Sequence, residues 1–87
     1  MKTEFTHNME TRDDFVKSVK DVARQIVHDW PCIRFGQAVF NHVNEMYGDV
    51  ARKVQFNHGI DCFYDDNKVE PFLDKCYELI KNSIQND

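Results

Sequence analysis

Between Phe15 and Trp30 the apolar residues Phe15, Val19, Val22, Ile26 and Trp30 recur at steps of four, three, four and four. That spacing follows the turn of an α-helix, whereas a strand would gather every second residue on one face. Val16, Ala23 and Val27 widen the stripe, and Lys17, Lys20, Asp21, Arg24 and His28 fall on the other side. A helix patterned in this way has a face that other helices must cover. Thr11 with Asp14 resembles a capping box at its start. Pro31 lacks a backbone donor and disfavours helical geometry in the residue before it, so the segment ends near Trp30. The spacing predicts a first helix over about 12–29.

A second stripe, Gly36, Val39, Phe40, Val43, Met46 and Tyr47, is closed by Gly48 and predicts a helix over about 34–47. Asp49 is suited to cap a short third helix, Val50 to Phe56, which ends at Asn57, His58 and Gly59. So short a segment needs packing to stay helical. Ile60 to Asp66 has no helical period and reads as a loop with two adjacent aromatics. Asn67 with Glu70 forms a candidate capping pair, with Pro71 in the first turn of a fourth helix from near Lys68 to about Asn82. Val69, Phe72, Leu73, Cys76, Ile80 and Ile84 give that helix one apolar face, and Lys75, Glu78 and Lys81 turn to water.

No segment alternates with period two, so the predicted fold is all-α, a compact bundle of three long helices plus one short helix. Its core should contain Phe15, Val19, Val22, Ile26, Val39, Phe40, Val43, Phe72, Leu73, Cys76 and Ile80. The 87 residues suffice for one core and not two. The organisation expected is an N-terminal arm at 1–10, a single helical domain at 11–84 and a C-terminal tail at 85–87.

No apolar run is long enough to cross a bilayer, and residues 1–10 are polar, so a cytoplasmic protein without membrane contact is expected. Cys32, Cys62 and Cys76 are odd in number and lack a Cys-x-x-Cys pair, which predicts reduced, buried thiols. The net charge of −4 is uneven: residues 1–56 carry eight acids and eight bases, and residues 57–87 seven acids and three bases. Binding to phosphate backbones needs clustered Lys and Arg, which the chain lacks, so no direct contact with nucleic acid is expected.

Chemistry-bearing residues are few. His58 and Cys62 are the nearest approach both to a zinc half-site and to a nucleophile with a base, and neither pattern is complete. Asp61, Asp65 and Asp66 form an oxygen-rich loop that suits a hard cation, yet without the alternating acids and glycine of a calcium loop. The other role open to them is in turns and at the positive end of the fourth helix. There is no glycine-rich phosphate loop, so neither a cofactor nor enzymatic activity is expected.

Arg34, Gln37, Asn41 and Asn44 make a polar stripe on the second helix at steps of three, four and three. Such side chains either tie the following loop to the helix, with Arg34 pairing Asp65 or Asp66, or contact a ligand. Arg34-x-Gly36-Gln37-x-x-x-Asn41 together with Asp61-x-Phe63-Tyr64-Asp65-Asp66 resembles a group of short bacterial and phage proteins with the same two motifs. The resemblance spans about residues 33–73, excludes the first helix, and implies a phage or mobile-element origin without supplying an activity, substrate or cofactor.

The function expected is therefore a non-enzymatic protein-binding module, a phage or mobile-element modulator that inhibits a host protein with a basic surface. Its contact residues would be Phe63, Tyr64, Asp65, Asp66, Arg34, Gln37 and Asn41. A small metal-dependent enzyme using the Asp61–Asp66 loop and a structural subunit of a larger assembly are the alternatives. A twofold homodimer is expected because short chains leave apolar surface uncovered.

Overall fold

The computed structural model describes residues 11–86, with side chains as far as Asn82; the arm at 1–10, the Ile84 side chain and Asp87 lie outside the described residues. Helix α1 runs over Arg12–Asp29, α2 over Phe35–Tyr47, α3 over Asp49–Asn57 and α4 over Val69–Asn86, with a 3-10 turn at Asp66–Lys68 before α4. This is the all-α bundle of three long helices and one short helix, without a strand among the described residues.

Thr11 caps α1 by accepting the Asp14 N–H on its hydroxyl at 3.1 Å. The buried face of α1 is Phe15, Val16, Val19 and Ala23. Val22, expected in the core, is 39% exposed, because it lies on the edge of the stripe away from Val16 and Ala23; Ile26 is only partly buried. Trp30 has already left the helix and is also exposed, although it continues the apolar spacing.

Helices α1 and α2 are antiparallel. Phe15, near the start of α1, meets Tyr47 at the end of α2 with ring centroids 5.9 Å apart, and Tyr77 of α4 lies 5.7 Å from the same ring. Phe40 of α2 meets Phe72 of α4 at 5.7 Å. Val39, Val43, Val54, Leu73 and Cys76 are fully buried around these rings. Gly48, at φ 65°, both ends α2 and precedes α3, a conformation that residues with a Cβ rarely adopt. Asp49 is accordingly inside the first turn of α3 rather than its cap. Helix α3 buries Ala51 and Val54 and depends on its contacts with α2 and α4.

The entrance to α4 differs from the Asn67–Glu70 capping pair. Asn67 lies within the 3-10 turn, and its N–H is accepted by Asp65 at 3.0 Å. Glu70 is turned instead toward α1, where it pairs with Lys20 and, at 3.0 Å, with Arg12; Arg12 also pairs with Asp74. Hydrogen bonds from Lys20 and then Arg12 hold the Glu70 carboxyl below its ordinary value. These bridges are exposed to water, so they align α1 with α4 more than they stabilise the bundle.

Cys62 and Cys76 are buried, and Cys32 is exposed in the connection between α1 and α2, which corrects the expectation of three buried thiols. Cys32 follows Pro31 in a segment that runs over the surface, where no helix face covers it. No helix among the described residues is long and apolar enough to cross a membrane.

Candidate interaction surface

The loop after α3 is seated on the first turn of α2. Arg34 occupies the N-cap of α2 without a side-chain bond to the helix, since a guanidinium has no acceptor to offer. The donor left open at Gly36 is satisfied from across the fold: Asp66 accepts its N–H on Oδ1 at 2.8 Å. A carboxylate there also meets the positive end of the helix. The Cys62 thiol donates to the Gly36 carbonyl at 3.4 Å. Contacts on both sides of one residue bring loop and helix so close that a Cβ at position 36 would overlap the Cys62 carbonyl oxygen and lie 2.7 Å from Asp66 Oδ1. Glycine is required at this position for space rather than for its backbone angles, since among the described residues only Gly48 and Gly59 have positive φ.

The remaining polar groups of the two motifs hold the loop in shape. Asp61 accepts the Phe63 N–H at 2.9 Å and so closes a local turn. Arg34 Nη2 donates to the Phe63 carbonyl at 2.6 Å, and its guanidinium carbon lies 6.0 Å from the centre of the Tyr64 ring. The expected pairing of Arg34 with Asp65 or Asp66 is thus replaced by a bond to the loop backbone. Both carboxylates already hold backbone N–H groups, of Asn67 and Gly36 respectively. Gln37 is half-buried and Asn41 exposed, and neither side chain forms a hydrogen bond among the described residues. The polar stripe is therefore divided: Arg34 grips the loop, and Gln37 and Asn41 do not.

No group of three or more His, Cys, Asp or Glu side chains converges among the described residues. The three loop acids are spread over three separate backbone donors. Cys62, the sequence's nearest approach to a nucleophile, has no exposed surface, and burial followed by the charge of Asp61 pushes its thiol up to about 12. Burial also raises Cys76. Thiols so held stay neutral and unreactive at neutral pH. A thiol-specific chromogenic reagent should therefore titrate Cys32 rapidly in the native chain and all three cysteines after denaturation. Rapid native reaction of a second thiol would contradict this placement.

The aromatics divide differently. Phe63 packs edge-on against Phe40 at 5.5 Å and against Tyr64 at 4.8 Å, and so joins the loop to the core. Tyr64 is 72% exposed, and Phe56 on α3 is 74% exposed. With Phe40, Phe63, Arg52, Gln55 and Asp61 they line an open groove of about 420 Å³. Phe56, Arg52 and Gln55 were not among the contact residues predicted from the sequence. A signal for Phe56 was present: it stands two residues beyond buried Val54, roughly 200° round the helix and so away from the core. Comparison with protein-family models, with curated proteins and with solved structures finds no match to the chain.

Proposed function

We propose that the chain is a non-enzymatic protein-binding module whose contact surface is the aromatic groove between α3 and the loop, with Phe56 and Tyr64 as anchors. The observation that carries this reading is the contrast within one small surface. Cys62 is buried and the three loop acids are tied to backbone donors, while two large rings stand mostly in water beside a groove with aromatic walls. Exposed aromatics at a concavity are the side chains that dominate binding energy at protein interfaces. Asp61, Asp65 and Asp66 accept only backbone N–H groups and pair with no cation among the described residues, so their charge remains to attract a partner with a basic surface. In this reading the partner is a host protein, and inhibition is the consequence of its capture.

The test substitutes Phe56 and Tyr64 together by Ala, verifies by circular dichroism that the helices are kept, and compares recovery of host proteins on immobilised wild-type and variant chains. The variant should lose at least ~10-fold of the partner recovered, the effect of removing a central aromatic anchor. Equal recovery on the two chains would contradict the proposal.

A further inference from the structure

Resting on the reading of the groove as a protein-contact surface, we propose that in the isolated protein its occupant is a second copy of the chain, related by a twofold axis. A twofold interface uses the same patch twice, so the patch must complement itself. In shape it does: the projecting ring of Phe56 stands beside a groove walled by Phe40, Phe63 and Tyr64. A twofold rotation carries each Phe56 toward the groove of the other protomer, and about 420 Å³ of open space accommodates a phenyl ring. In charge it does as well. Arg52 and Asp61 line this groove, and neither pairs with an opposite charge among the described residues. In the proposed dimer each Arg52 faces the Asp61 of the other copy. Asp61 uses Oδ1 for the Phe63 N–H, which leaves Oδ2 for the guanidinium. A groove lined with one sign of charge would repel its own image, and this one carries both. Trp30 and Met46 are also exposed, but they do not line the groove.

Sedimentation equilibrium across the micromolar range on the full chain tests the proposal. Wild type should populate monomer and dimer, with the dimer weakened as salt is raised. Phe56→Ala and Arg52→Asp should each raise the dissociation constant at least ~10-fold, through loss of a central ring and through like charges facing Asp61. Both side chains are on the surface, and circular dichroism checks that the helices are kept. As a second measurement on wild type, isotope-filtered spectra of a mixed labelled and unlabelled sample should connect the Phe56 ring of one copy with Phe40 and Phe63 of the other. A monomer at every concentration overturns the second copy as occupant, and so does a dimer that both substitutions leave unchanged. A monomer whose partner recovery still depends on Phe56 and Tyr64 overturns this inference alone, leaving the groove reading intact.

Discussion

Substitution of Gly36 by Ala should cost about 2–3 kcal/mol of stability, the upper part of the range for forcing extra volume into a packed site. The obstacle is backbone, because the added Cβ would overlap the carbonyl oxygen of Cys62. Relief requires the loop to move off α2, which breaks the Asp66 bond to the Gly36 N–H and the Cys62 bond to its carbonyl together. Urea denaturation measures the loss, and amide exchange at Phe63 and Tyr64 should quicken in the same variant. A loss below ~0.5 kcal/mol, the scatter of ordinary surface substitutions, would show that helix and loop do not approach as closely as described.

Phe40→Ala should have the larger effect on stability, about 3–5 kcal/mol, the usual range for removing a buried aromatic. Phe40 is 8% exposed and meets Phe72 on the core side and Phe63 on the loop side. Its removal leaves a void between α2 and α4 and takes away the ring on which the loop rests. For a domain whose whole stability is on the order of 5–15 kcal/mol, the variant should be partly unfolded at moderate temperature. Chemical denaturation gives the value, and a loss below about 1 kcal/mol would place Phe40 outside the core.

The two sites differ in how they can be read from the amino-acid sequence. Phe40 belongs to a stripe with helical period, and Val39, Val43, Phe72, Leu73 and Cys76 are legible in the same way, because burial on a helix repeats with its turn. Gly48 and Pro31 mark helix ends through local backbone chemistry, which also needs no tertiary knowledge. The role of Gly36 depends on Asp66, thirty residues further along, and no local pattern announces that an acid will cap a helix from that distance. The same limit misplaced Arg34. Pairing it with the nearest acids was a reasonable electrostatic expectation, but the guanidinium meets the Phe63 carbonyl instead, while those carboxylates accept the N–H groups of Asn67 and Gly36. Val22 and Trp30 show a different limit: period identifies an apolar face but not how far the neighbouring helices extend over it.

What unites the motifs is support for a surface. Gly36, Asp61, Cys62 and Asp66 hold the loop against α2, Phe63 roots it in the core, and Phe56 and Tyr64 remain outside. A loop fixed in this way presents its anchors with little ordering cost on binding. The function proposed for the chain depends on that presentation. Its most direct test is a backbone amide shift map of the labelled chain titrated with the partner recovered from the host. The largest changes should fall on Arg52–Phe56 and Asp61–Asp65, around the groove, while Lys17, Asp21 and Arg24 on the outer face of α1 stay in place. Changes centred on that face of α1, with the groove undisturbed, would contradict it.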